Sequence, residues 1–178
     1  MSVLTDTQLG LPTGVWSLDK IHSTIGFEIP YLAGTFRGQF TDVDARVDEK
    51  GLTGSARVAS IDVKDENLSI HLQSPDFFDA ERNPELKFES REIDRSGEQI
   101  TISGDIRIRG VTKPVELTGT ISEPLTDYAD RERFGLKLET AVDRTEFGVN
   151  WNAPLPSGEP ALQNEVKLVA ELYFIKEA

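Results

Sequence analysis

Apolar and polar residues alternate along most of this chain, and that period of two constrains the fold more than any other feature. Between residues 23 and 31, for example, Ile25, Phe27 and Ile29 alternate with polar or small residues. Successive side chains of a β-strand point to opposite faces of the sheet, so the pattern indicates strands with one buried face. The chain is therefore predicted to be all-β.

The same alternation recurs often enough to predict about eight strands. They cover residues 23–31, 36–47, 54–63, 104–110, 115–121, 136–143 and 166–176, with shorter pieces near 86–93 and 100–103. Gly110 to Pro114 is predicted to be the turn between two of them. A count near eight with mostly antiparallel pairing suits a sandwich or a closed barrel, whose interior is either filled by side chains or left as a cavity.

One segment departs from the period of two. Leu68 and Leu72 are spaced as on a helix, and Pro75 ends that spacing before a short second turn carrying Phe77 and Phe78. We expect this helical excursion to cover one end of the sheet. Residues 152–160 hold three prolines and a glycine, which predicts a long loop of the kind that often gates a binding site.

The organisation along the chain indicates a single domain over residues 15–178, preceded by an extension at 1–14 that is expected to be flexible. The first residues lack the basic and apolar regions of a secretory signal, and no apolar run approaches the roughly 20 residues of a membrane span. We expect a soluble, cytoplasmic protein without stable membrane insertion. A homodimer is left open.

Charge and composition exclude several classes of function. The formal net charge is −12, from 31 acidic and 19 basic residues, so the surface should repel nucleic acid. Cysteine is absent, which removes thiolate metal sites and thiol nucleophiles. The histidines, His22 and His71, are far apart in sequence, and no metal or other cofactor site is predicted.

His22 and Ser23 are the residues that most suggest catalysis, but their adjacency argues against a catalytic pair. Neighbours in a strand point to opposite faces, so the imidazole could not act as base for that hydroxyl without a bulge. Motifs of acyl transfer, of P-loops and of dinucleotide sites are also missing. We predict no catalytic residues.

Five blocks of sequence carry a resemblance to a known family. They are W-x-x-D-x-x-H-S-x-x-x-F from Trp16 to Phe27, "GTFRGQF" from Gly34, "HLQSPDFFDAERNPELKF" from His71, "GDIRIRGVTKPVEL" from Gly104 and "DRTEFGVNW" from Asp143. Together and in this order they resemble the YceI family over nearly the whole domain.

The resemblance implies an extended eight-stranded antiparallel barrel similar to lipocalins, with the helical excursion at one end and an apolar tunnel for a polyisoprenoid chain. Members of the family bind isoprenoid quinones or polyprenyl phosphates without catalytic residues, and many carry a signal peptide that is not seen here. The expected partner is thus an isoprenoid lipid. The tunnel candidates are Ile25, Phe27, Ile29, Phe36, Phe40, Ile106, Ile108, Leu136, Leu138, Leu168 and Leu172, with Phe77, Phe78, Phe147 and Trp151 near its ends.

Two residues of the family-like blocks are candidates for binding the lipid's head group. They are His22 and Arg144, although Arg144 could equally form a structural ion pair with Asp143 or Glu146. Two alternatives to a lipid carrier remain at this point. One is an enzyme that acts on an amphipathic isoprenoid substrate with His22 as acid or base, and the other is a fully packed barrel that serves as an interaction module.

Overall fold

The computed structural model describes residues 10–178, which form a mostly antiparallel β-structure as the alternation predicts. The strands are β1 (Trp16–Leu18), β2 (Thr24–Tyr31), β3 (Gly34–Phe40), β4 (Val43–Asp48), β5 (Gly51–Arg57), β6 (Ile61–Asp62), β7 (Glu85–Ser96), β8 (Gln99–Ile108), β9 (Val111–Ile121), β10 (Leu125–Thr126), β11 (Glu132–Asp143) and β12 (Glu165–Lys176). The helix is α1 (Glu66–Gln73).

Eight of these strands close into a barrel, in the order β11-β9-β8-β7-β5-β4-β1-β12. The ring is completed by pairing of β12 with β11 along their whole length, from Arg133 opposite Ile175 to Asp143 opposite Glu165. Closure of this kind removes the exposed edges that an open sheet would present. The predicted eight-stranded antiparallel barrel is confirmed.

Strands β2, β3 and β6 continue the wall at one end of the barrel. One edge of β12 pairs with two strands. Near the C-terminus of β12 this edge pairs with β1, and over residues 167–171 it pairs with β2. Strand β3 then pairs with β2 and, at its last residues, with β6. Only Thr41 and Asp42 separate β3 from β4, so the two are consecutive parts of one bent segment of the wall.

The helical excursion covers the interior at this end, as predicted. Helix α1 begins after Asp65, whose carboxylate caps it by accepting a hydrogen bond from the Leu68 N–H at 3.1 Å. The turn after the helix places the ring of Phe78 5.8 Å from that of Phe40 and 6.3 Å from that of Phe27. Within residues 10–178, no helix has the length and apolar character needed to cross a membrane.

The predicted turn from Gly110 to Pro114 is wrong. The connection between β8 and β9 is the two-residue turn Arg109-Gly110, where both residues have positive φ, 54° and 76°. Pro114 lies inside β9, opposite Asp105 of β8. It is tolerated there because β9 pairs with β11 only over residues 118–121, so the missing N–H of Pro114 interrupts no ladder between the described strands.

Aromatic residues fill the opposite end of the barrel. The Trp16 ring meets that of Phe134 edge-on at 4.8 Å, and Phe134 stacks on Phe174 at 5.1 Å. Leu11 is 4% exposed and belongs to the same core. The flexibility expected of residues 1–14 and the boundary at residue 15 stay predictions, and residues 1–9 lie outside the described part of the chain.

Candidate functional site

The barrel encloses a cavity of about 380 Å³ between the covering helix and the aromatic end. Its wall is almost entirely apolar, with side chains from β2, β3, β11 and β12 and from the turn after α1. Pockets that bury small ligands usually measure roughly 300–1,000 Å³, so this space is large enough for one. The interior is therefore not filled completely by side chains.

Fourteen of the fifteen tunnel candidates lie on the cavity wall. They are Ile25, Phe27, Ile29, Phe36, Phe40, Phe77, Phe78, Ile106, Ile108, Leu138, Phe147, Trp151, Leu168 and Leu172. Leu136 is the exception. It is 1% exposed and lies two residues after Phe134 in β11, at the end of the barrel that aromatic rings fill. It is a packed core residue, and its assignment to the tunnel is corrected here.

A glycine that the sequence did not single out allows the aromatic wall to form. The Phe27 ring lies 5.9 Å from that of Phe36 and 6.1 Å from that of Phe40. A Cβ atom on Gly38 would lie 2.6 Å from Cζ of Phe27 and 2.9 Å from Val63. Glycine in a strand is a signal for such a close approach, but it does not say which side chain approaches.

His71 is a cavity residue that the sequence interpretation missed. It lies on α1, and its ring meets those of Phe77 and Trp151 edge-on, each at 5.0 Å. Its Nε2 is 3.0 Å from a carboxylate oxygen of Asp76. His71 thus places a polar ring in an apolar wall. Among residues 10–178, no three His, Asp or Glu side chains come together as a metal site.

Arg144 also lines the cavity, and it is only 6% exposed. Its Nη1 donates hydrogen bonds to the carbonyl oxygens of Val149 and Trp151 at 2.8 and 2.9 Å, and its Nε donates to that of Gln163 at 2.9 Å. The guanidinium therefore fixes the start and the end of the loop that includes residues 152–160. Its remaining nitrogen, Nη2, is buried and has no hydrogen-bond partner.

The ion pairs considered for Arg144 are not formed in the described part of the chain. The Asp143 carboxylate instead accepts hydrogen bonds from the N–H and the hydroxyl of Thr145, at 2.9 and 2.5 Å. Burial lowers the pKa of Arg144, and the nearby charge of Asp143 opposes that shift. Arg144 is accordingly a buried cation held by neutral carbonyls beside an apolar space.

His22 is far less suited to bind a ligand in this cavity, because it lies outside the cavity wall with its side chain 67% exposed. Its Nδ1 is 2.6 Å from the Asp19 carboxylate, which also accepts a hydrogen bond from Arg133 at 2.8 Å. Arg133 in turn donates to Asp127. The structure therefore assigns His22 to a polar network that joins the β1–β2 loop to β11, and its proposed head-group role is corrected.

This network predicts a loss of stability in acid. Burial raises the pKa of Asp19, but hydrogen bonds from Arg133, from His22 and from backbone N–H groups outweigh it and lower the pKa to about 2. A carboxylate with a depressed pKa stabilises the fold above its unfolded value of 3.8, and that contribution is lost as the pH falls through about 2. The urea midpoint of unfolding should therefore fall between pH 4 and pH 2.

Substitution Asp19→Asn tests this assignment. We expect a lower urea midpoint at pH 7 and a shallower decline below pH 4, because the variant has no carboxylate at position 19 to be protonated. The control is Glu116→Gln, which removes an exposed carboxylate from β9 and should keep the wild-type slope. An unchanged slope in Asp19→Asn would contradict the role given to the network.

Comparison with known proteins decides the family. The YceI-like domain model matches residues 16–174, almost the whole of the described chain. The chain belongs to the YceI-like family. A UPF0312 protein of Photorhabdus laumondii is 36% identical over 146 residues, which are 75% of this chain and 73% of that protein. A UPF0312 protein of Staphylococcus epidermidis is 29% identical over 89% of this chain and 96% of its own length.

Two solved structures share the fold. Burkholderia cenocepacia BcnA covers 88% of this chain and 98% of its own, with a TM-score of 0.72 at 17% identity. A polyisoprenoid binding domain from Saccharophagus degradans covers 91% of this chain and 98% of its own, with a TM-score of 0.70 at 11% identity. At these identities the likeness establishes a common barrel.

Proposed function

We propose that the protein binds an isoprenoid lipid, either a polyprenyl phosphate or an isoprenoid quinone, and carries or stores it without chemical change. The observation that carries this proposal is the apolar cavity of about 380 Å³ inside a closed barrel. A polyisoprenoid chain is a slender, wholly apolar ligand, and the cavity wall offers it Phe27, Phe36, Phe40 and Phe78. The tail would lie in the cavity and the head near one of its polar groups.

The energetics of burial support an apolar tail as occupant. Removing apolar surface from water contributes about 25 cal/mol per Å², and no hydrogen bonds are needed along the chain. A polar ligand would leave its donors and acceptors unsatisfied against this wall. The domain from Saccharophagus degradans has the same fold and is described as a polyisoprenoid binding domain, which supports an apolar tail as the ligand.

The enzyme alternative has no observation in its favour. His22, the residue considered as acid or base, lies outside the cavity and is engaged with Asp19. His71 does line the cavity, but its ring contacts aromatic side chains and Asp76. Neither histidine is placed beside a nucleophile in the manner that catalysis requires.

Native mass spectrometry of the purified protein tests the proposal. We expect a bound species that is released by organic extraction, or stoichiometric uptake of added geranylgeranyl phosphate or of a short-tailed menaquinone. These two probes represent the two head-group classes. A protein that carries no extractable lipid and takes up neither probe would refute the proposed function.

A further inference from the structure

Two exposed segments border the cavity where it meets solvent. They are residues 30–35, which include the turn between β2 and β3, and residues 153–161, and together they form the rim. Tyr31 of the first segment pairs with Leu162, directly after the second, in an isolated β-bridge. Tyr31 lines the cavity and is nevertheless 42% exposed, so the cavity reaches the surface beside it. The rim therefore surrounds an opening through which a ligand can enter.

The rim differs in composition from the rest of the chain. Its first segment, "PYLAGT", has no charged residue, and Glu159 is the single charged residue of the second, although 28% of the whole chain is charged. Leu32 is strongly exposed at the tip of the β2–β3 turn, next to Tyr31. Exposed apolar side chains that lie together at the opening of a cavity are typical of a contact surface.

The rim also offers few free backbone donors. Four of the nine prolines of the chain lie in it, and proline has no N–H group. In the second segment, the N–H groups of Leu155, Gly158 and Ala161 donate to carbonyl oxygens of that same segment, at 2.7, 2.8 and 2.9 Å. An unpaired N–H group is unfavourable wherever lipid replaces water. This backbone is therefore suited to contact with lipid.

We propose that the rim docks reversibly on the surface of a lipid bilayer whose head groups carry no net charge, with Tyr31 and Leu32 entering the interface. Tyrosine is enriched in that region of a bilayer, where its ring is buried and its hydroxyl stays hydrated. The net charge of −12 repels an anionic surface, which is why the partner is an uncharged one.

Docking in this orientation places the opening of the cavity against the bilayer. An apolar ligand then passes between bilayer and barrel without crossing water, which removes the cost of exposing its surface. This inference goes beyond the proposed function, because contact with a bilayer is a property of the protein surface and does not require an occupied cavity.

Flotation with vesicles of pure phosphatidylcholine tests the docking. We expect the wild-type protein to float with the vesicles and Leu32→Asn to lower its partition coefficient about tenfold, since an apolar contact with the bilayer is lost. Asparagine adopts positive φ readily, so the turn at Leu32, with φ 53°, is retained. The matched control is Leu125→Asn, because Leu125 is likewise exposed but lies off the cavity wall in β10. Circular dichroism checks that each variant folds.

Charge provides a second test of the orientation. Vesicles of equal parts phosphatidylcholine and phosphatidylglycerol should bind the wild-type protein more weakly than vesicles of phosphatidylcholine alone. Glu159 is exposed in the rim, so Glu159→Lys should strengthen binding to the mixed vesicles about tenfold. Glu116→Lys makes the same change of net charge on β9, outside the rim, and should have much less effect.

Every outcome decides for or against docking by the rim. Wild-type protein that floats with neither kind of vesicle would overturn the proposal, and so would equal losses in Leu32→Asn and Leu125→Asn. A dimer that Leu32→Asn dissociates in sedimentation velocity, with no flotation of the wild-type protein, would identify a second copy of the chain as the occupant instead. Because the vesicles contain no isoprenoid, failure to float leaves the proposed lipid binding intact, and failure to take up isoprenoids leaves the docking intact.

Discussion

Ala170→Phe is expected to abolish uptake of an isoprenoid lipid while the barrel stays folded. Ala170 lies on the cavity wall in β12, opposite Ile25 of β2 and Leu138 of β11. A benzyl side chain there would occupy space that the tail needs. Displacing a single isoprene unit of about five carbons, at about 0.8 kcal/mol per buried CH₂, removes about 4 kcal/mol and weakens binding nearly a thousandfold.

The binding assay is a titration with geranylgeraniol followed by native mass spectrometry, and the matched control is Ala141→Phe. Ala141 is exposed on β11, opposite Lys167 of β12, and is absent from the cavity wall. The control should bind lipid as the wild-type protein does. If a folded Ala170→Phe protein also binds normally, the tail must lie outside this cavity.

Trp16→Ala is expected to lower the free energy of unfolding by about 3–5 kcal/mol, the usual range for removing a large buried aromatic side chain. Trp16 is 1% exposed, and it packs edge-on against Phe134 at 4.8 Å. It belongs to β1, the short strand that joins β4 to β12 in the closed ring. The substitution therefore opens a cavity where the ring depends on only a few backbone pairs.

Urea denaturation measures this effect, and Trp151→Ala provides the comparison. Trp151 is only half-buried and borders a space that is already open, so its removal should destabilise the protein less. It should instead weaken lipid binding. Equal losses of stability in the two variants would contradict the division into a packed aromatic end and an open cavity.

The barrel could be predicted from the sequence because its strands have one buried face, and such strands alternate apolar and polar residues with a period of two. Inward-facing positions such as Ile25, Phe27 and Ile29 must be apolar whether they fill the interior or line a cavity. Ten of the eleven candidates that lie in alternating stretches are on the cavity wall. The rule gave the wrong result for Leu136, since the pattern along one strand does not say how far along the barrel the cavity extends.

The polar features of the site depend on contacts between distant parts of the chain, and these leave no local pattern. His71 reaches the cavity because α1 holds its ring against that of Trp151, 80 positions later in the sequence. Arg144 is close in sequence to Asp143 and Glu146, which suggested an ion pair. Its hydrogen-bond partners are instead backbone carbonyls of the following loop. Such bonds are formed by the fold and not by residue type, so side-chain identity could not reveal them.

The pairing of β12 has a consequence for the order in which the molecule assembles. This one strand holds β11 on one edge and both β1 and β2 on the other, and Leu18 meets Phe174 only after more than 150 intervening residues. Contacts so distant in sequence slow folding, because a long loop must close before they form. During synthesis, β1 and β2 cannot pair with β12 until residues 165–176 have been made. Until then the interior has no closed wall to retain a lipid.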